Sequence, residues 1–152
     1  MASAVQNLIE DAQGARELLS TSTRLAILGI KPEARLHKPA FYVPRYLRDA
    51  GYEIIPVPVY YPDLKELMGQ PVYRRLVDVP GEIDMVVVFR RPEDIPAHVP
   101  DLLAKKPSSI WFQLGIRNDE SALRLARAGI KVVQDRCTLI EHQRMLAAQP
   151  RD

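Results

Sequence analysis

Only one cysteine, Cys137, occurs in 152 residues, which excludes an internal disulfide framework and any metal site built from several thiolates. Glycine is scarce as well, at 7 residues, and after Gly29 none follows until Gly51. A dinucleotide fingerprint needs three glycines in close order behind the first strand, and a phosphate loop needs a Gly-Lys-Ser/Thr triplet; neither is present. No apolar stretch reaches the length of a membrane span. The opening segment Met1-Ala2-Ser3-Ala4-Val5-Gln6-Asn7 has neither the basic start nor the apolar run of a secretory signal, so a cytoplasmic protein is expected. Charge of one sign is missing too. The 21 basic and 19 acidic residues leave +2, which gives no general pull toward nucleic acid or an anionic membrane and confines any electrostatic role to a local cluster.

What is present is a chain of 47% apolar residues in which short hydrophobic runs alternate with helical periodicity. The length suits a single unit over residues 1–152, with residues 1–22 forming an N-terminal helix and connector; that helix is expected over 4–19, capped by Ser3 and breakable at Gly14. Five runs read as strands: Leu25-Ala26-Ile27-Leu28, Tyr52-Glu53-Ile54-Ile55-Pro56-Val57, Met85-Val86-Val87-Val88-Phe89, Ser109-Ile110-Trp111-Phe112-Gln113 and Ile130-Lys131-Val132-Val133. Helices are expected from between residues 39 and 43 to Ala50, in two short pieces over 93–105, over 119–128 and over 137–147, with a helical turn at 63–69, irregular chain after it and a frayed tail at 149–152. Alternation of this kind predicts an α/β fold: a Rossmann-like open parallel five-stranded sheet in the order 3-2-1-4-5, with helices on both faces.

In such a sheet ligands bind beyond the carboxyl ends of the strands where the order reverses. The segment Gly29-Ile30-Lys31-Pro32-Glu33-Ala34-Arg35-Leu36-His37-Lys38-Pro39 leaves the first strand and enters a helix there. Helix N-termini attract anions, and Lys31, Arg35 and Lys38 add three side-chain cations, so a phosphate site is expected in this loop; a merely solvated cluster is the competing reading. The exits Gln113-Leu114-Gly115-Ile116-Arg117, Val59-Tyr60 and Phe89-Arg90 should flank it. His37 is read either as a phosphate contact or as a plain surface residue, and His98 and His142 as surface residues. The three histidines show no metal-ligand spacing and no hydroxyl nucleophile is paired with them, so no metal and no catalytic residue is assigned. Trp111 and Phe89 are read as core. Cys137 is read as packed and inert, with a redox role at a helix N-terminus as the alternative.

The stretches Leu25-Ala26-Ile27-Leu28-Gly29, Lys38-Pro39, Val43-Pro44-Arg45-Tyr46-Leu47, Gly51-Tyr52, Val88-Phe89-Arg90, Trp111-Phe112-Gln113-Leu114-Gly115-Ile116-Arg117 and Val132-Val133-Gln134-Asp135-Arg136-Cys137 resemble, in order and spacing, the small stand-alone CoA-binding domain proteins. That family is similar in fold to the N-terminal CoA-binding domain of the succinate–CoA ligase α subunit. The chain departs from it at Tyr60-Tyr61-Pro62, where Asn-Pro is common, and at Ala40, where a small hydroxyl residue is common. The resemblance implies coenzyme A or an acyl-CoA as ligand, and together with the strand-exit reading the expected site is Gly29, Ile30, Lys31, Arg35, His37, Lys38, Pro39, Val59, Tyr60, Phe89, Arg90, Gln113, Gly115 and Ile116.

Three functions follow as expectations. The first is a cytosolic CoA-binding protein without catalytic machinery, its protein partner unknown, with no role for nucleic acid or membrane. The second is an NAD(P)-dependent oxidoreductase or transferase on the same fold, although no acidic residue follows the second strand to hold a ribose diol. A ligase-like acyl-CoA enzyme is the third, and it lacks room for a further domain carrying a phosphorylated histidine.

Overall fold

The computed structural model describes residues 4–149. A short 3-10 turn, Ala4–Asn7, precedes α1 (Ala12–Thr21), β1 (Arg24–Leu28), α2 (Pro39–Asp49) and β2 (Glu53–Val57). A small hairpin, β3 (Glu66–Leu67) and β4 (Gln70–Pro71), follows, then β5 (Met85–Val88), α3 (Val99–Lys105), β6 (Ser109–Phe112), α4 (Asp119–Arg127), β7 (Lys131–Val133) and α5 (Thr138–Ala147). Among the described residues no helix is long and apolar enough to cross a membrane.

The main sheet is five-stranded and parallel, as expected, with neighbours in the order β2-β1-β5-β6-β7. In the order 3-2-1-4-5 the Met85 run would lie outside β2 at the edge. It lies instead on the other side of β1, with Leu25 opposite Met85 and Leu28 opposite Val88. Met85-Val86-Val87-Val88 is apolar at every position and buried at every position, which suits a strand covered on both faces. Pro56, which has no N–H to give, sits in the edge strand β2, where a missing donor on the outer side costs nothing. That outer edge is covered: the Tyr73 N–H donates to the Pro56 carbonyl at 3.0 Å.

Alternation along each strand divides the core in two. Leu25, Ile27, Ile54, Met85, Val87, Trp111 and Val133 face α1, α2 and α5, while Ala26, Leu28, Ile55, Val57, Val86, Val88, Phe112 and Val132 face α3, α4 and the segment around Leu76 and Ile95. Burial of both faces is the main source of stability. Polar pins set the layers against each other. Trp111, fully buried, donates its Nε1–H to the Arg136 carbonyl at 2.7 Å. The Glu141 carboxylate, 4% exposed, is faced by Arg16 at 3.0 Å and by Arg136 and Arg144 at 3.6 Å each, which docks α1 on α5.

Several local expectations are corrected. The N-terminal helix over 4–19 is broken before α1, because Leu8 leaves the helical path to bridge Val132 and the Ile9 N–H donates to the Val132 carbonyl at 2.8 Å. Asp11, whose carboxylate accepts from the Gly14 N–H at 3.0 Å, then caps α1; Ser3, expected in that role, lies outside the described residues. The helical turn at 63–69 is in fact the first strand of the β3-β4 hairpin, whose bend uses Met68 and Gly69 at positive φ. The two short helical pieces expected over 93–105, by contrast, are present as a 3-10 segment, Pro92–His98, and α3.

Candidate functional site

The order of the strands reverses at β1: its crossover through α2 leads to β2 on one side, whereas β5 lies on the other. The chain therefore parts at the carboxyl ends of β1 and β5, and a cleft opens there. It consists of a cavity of about 500 Å³, framed by the loop after β1, the start of α2 and the exits of β5 and β6, and an adjoining one of about 170 Å³ toward the exit of β2.

Lys31 is placed by an unusual backbone device. Pro44 sits inside α2 and has no N–H for the Ala40 carbonyl one turn earlier, and the Lys31 N–H takes that vacated acceptor at 3.0 Å. A proline that would weaken the helix alone thus ties the loop to it. Lys38 occupies the N-cap position and Pro39 opens the helix. The amides of the first turn are less available than the sequence suggests, since Pro39 has none and the Phe41 and Tyr42 N–H groups both turn to the Lys38 carbonyl. Attraction for an anion therefore comes chiefly from side chains. Lys31, Lys38, Arg90 and Arg91 line the larger cavity and Lys31, Arg90 and Arg91 the smaller, and neither lining includes an Asp or Glu.

Of the residues expected in the site, Lys31, Lys38, Pro39, Phe89, Arg90, Gln113, Gly115 and Ile116 line the larger cavity, and Gly29, Ile30, Val59 and Tyr60 join Lys31, Phe89 and Arg90 at the smaller. Ile30 takes part only through its backbone, because its side chain is 1% exposed and packs in the core beneath α2. Arg35 and His37 line neither cavity; both are exposed, on the short 3-10 turn and the stretch after it that carry the loop outward. Arg117 pairs with Asp119 at 3.0 Å and faces a neighbouring cavity of about 430 Å³ instead.

Gln113 has a second task. Its side chain is buried, and Oε1 accepts from both the N–H and the hydroxyl of Thr138, at 2.9 and 2.8 Å, supplying the cap that Cys137 does not provide at the start of α5. Gln113→Leu would strand two buried donors and is expected to lower stability by roughly 2–4 kcal/mol, read as a fall in the urea midpoint with unchanged slope. Asp135, the one carboxylate at a strand exit, is likewise engaged: in the left-handed region at φ 57°, it accepts from the Gly115 N–H at 2.7 Å and fixes the turn after β6.

Two histidines read as surface residues are not. His142 is buried beside Tyr46 and Tyr52, its Nδ1 2.8 Å from the Tyr46 hydroxyl, and burial holds its pKa below the ordinary value. His98 is half-buried against Arg90. Sequence reasoning also missed Tyr42, Cys137 and Ile140 in the cleft lining. For Tyr42 a signal existed, since it lies one turn beyond Pro39 on the same helix face; Cys137 and Ile140 arrive only through the packing of α5. Among the described residues no group of three His, Cys, Asp or Glu is arranged to hold a metal ion.

A five-stranded parallel sheet with a cationic cleft at its switch point defines a Rossmann-like domain. Comparison with known proteins narrows this class. The chain belongs to the CoA binding domain family, matched over residues 23–143. It is 34% identical over 127 residues to the uncharacterized protein YneT of Bacillus subtilis, covering 84% of this chain and 90% of that one. Among solved structures, one from Thermus thermophilus is 39% identical with a TM-score of 0.81, covering 89% of this chain and 98% of its own. A hypothetical protein from Pyrococcus horikoshii is 29% identical with a TM-score of 0.80, covering 90% and 92%.

Proposed function

We propose that the protein binds coenzyme A in the cleft at the ends of β1 and β5, and that it does no chemistry on its ligand. One observation carries the reading: four cationic side chains converge on a cleft whose lining contains no carboxylate. CoA brings a pyrophosphate and a separate ribose phosphate, so it can use several cations at once, and guanidinium groups suit phosphate oxygens by geometry as well as charge. The apolar remainder of the larger cavity, with Tyr42, Phe89, Leu114, Ile116 and Ile140, suits the uncharged pantetheine arm. Membership of the CoA binding domain family supports the same ligand.

Acid–base chemistry needs a titratable pair within hydrogen-bond reach of substrate. Here Asp135 is committed to the Gly115 amide, Gln113 to Thr138, and the charged side chains of the lining are all cations. Acyl-CoA is therefore expected to bind intact in the cytoplasm. Incubating purified protein with acetyl-CoA and assaying free thiol should give the rate of the blank. Thioester cleavage or acyl transfer that tracks with the protein and disappears in Asp135→Asn or Cys137→Ala would make it an enzyme. In a thermal-shift panel, CoA and acetyl-CoA should raise the midpoint while NAD and ATP leave it near the unliganded value.

A further inference from the structure

His98 lines neither cavity, yet an enclosed cation of the cleft, Arg90, rests on it. The Arg90 side chain is 13% exposed; its guanidinium lies 5.3 Å over the Tyr60 ring, and its Nη2 is 3.5 Å from Asp94 Oδ2. Its Nε–H donates to His98 Nε2 at 3.1 Å. A guanidinium has five N–H groups and no acceptor, so His98 Nε2 must be the acceptor and the imidazole neutral, with its proton on Nδ1. No partner faces Arg90 Nη1 among the described residues, which leaves those N–H groups for the cleft.

We propose that His98 is a positioning residue for Arg90: neutral, it fixes the guanidinium at the cleft, and protonated, it turns from acceptor to donor and releases it, so that affinity for a phosphate-bearing ligand falls in acid. The inference rests on the reading of the cleft as a CoA site. The groups that face His98 are Arg90 from the exit of β5, Asp94 from the 3-10 segment and Asp101 from α3, the last held by Arg75 at 2.8 and 3.1 Å. Burial first, and then Arg90, hold the His98 pKa below the usual imidazole value, while the two carboxylates oppose them. The neutral form therefore persists around neutrality and is lost as pH falls through that lowered pKa. Protonation also adds positive charge, which by itself would attract an anion. That attraction acts from behind Arg90 through a partly solvated site and is screened, whereas the lost bond is made at contact distance.

The test titrates CoA into the native protein, His98→Gln and His98→Ala at about pH 8 and at a pH below the His98 midpoint read by NMR in the same protein. Glutamine keeps an acceptor near the Nε2 position and does not titrate. The ligand's own phosphate titrates near pH 6, but it does so equally for every variant and cancels in their ratios. His98→Gln should match the native protein within about twofold at the higher pH and bind roughly fivefold tighter than it at the lower, and His98→Ala should be roughly tenfold weaker at the higher pH. A ratio of native to His98→Gln that is the same at both pH values, or native affinity in His98→Ala, overturns the proposal. A second readout needs no ligand. Nitrogen-15 NMR should show the Nδ1–H tautomer of His98 in the native protein and loss of that preference in Arg90→Met, and an Nε2–H tautomer in the native protein overturns the proposal outright. If no variant binds CoA, the CoA reading fails while the tautomer measurement still decides the role of His98.

Discussion

Gly29→Ala is expected to destabilise the fold by on the order of 4 kcal/mol and to remove ligand binding with it. Gly29 has φ 90°, a conformation that L side chains rarely adopt. The strain is only part of the cost. A Cβ at this position would fall well inside contact distance of the Phe89 carbonyl oxygen, 3.1 Å from the Phe89 carbonyl carbon and 3.2 Å from Arg90 Cδ. Those are backbone atoms at the exit of β5 and the stem of the cleft's central cation, so relief of the clash must push β5 away from β1 where the two strands part. Gly51 supplies the control. It has φ 110°, and a Cβ there would meet nothing within 4 Å. Gly51→Ala should therefore show backbone strain alone, about 1–3 kcal/mol, and the difference in urea midpoints isolates the close approach. Equal losses for the two variants would mean that the β1 and β5 exits are not held together through Gly29.

Arg90→Met is expected to weaken CoA binding by roughly ten- to a hundredfold, the range set by charge-assisted hydrogen bonds, with little change in stability. Methionine keeps much of the side-chain volume and removes the guanidinium. Arg91, its neighbour in sequence, has a side chain 76% exposed and one distant ion pair with Asp94 at 3.9 Å. An exposed cation is screened by solvent, so Arg91→Met should cost less than about threefold. The ligand can report which phosphate each cation serves. If Arg90 or Lys38 holds the ribose phosphate, its removal will weaken CoA far more than dephospho-CoA; equal losses assign it to the pyrophosphate. Calorimetric titration of the two ligands into each variant measures this, and unchanged CoA affinity in Arg90→Met would move the site elsewhere.

The sheet was legible because its evidence is local and redundant. Runs such as Met85-Val86-Val87-Val88, with no polar alternation, can only be strands covered on both faces, and Gly51 and Gly129 close the helices that separate them. The partner of a strand is a different matter. Whether Met85–Val88 lies beyond β2 or beside β1 depends on a connection of more than twenty residues, and no local pattern in it specifies which side of the sheet it returns to. Complete burial of all four side chains does not decide it, since the edge strand β2 is buried over four positions as well. The same holds at the N-terminus, where the Leu8 to Val132 bridge joins segments at opposite ends of the chain and overrides a good helical pattern.

For the candidate site, the loop after β1 was readable from position and charge, but the role of each residue was not. Periodicity cannot show that Ile30 turns into the core, that Arg35 and His37 are carried away from the cleft, or that Gln113 spends its carbonyl on Thr138. His98 is the sharpest case. A histidine between Pro96 and Pro100 in a broken helical segment reads as surface, and only the tertiary approach of Arg90 gives it a partner.

The most direct measurement is a calorimetric titration of CoA and, separately, NAD into the purified protein at neutral pH and moderate salt. The cationic cleft without a ribose-binding carboxylate predicts saturable binding of one CoA per chain, weakened by added salt and by Arg90→Met, and no saturable heat with NAD. NAD binding as tightly as CoA, or CoA binding that ignores both salt and Arg90→Met, would contradict it.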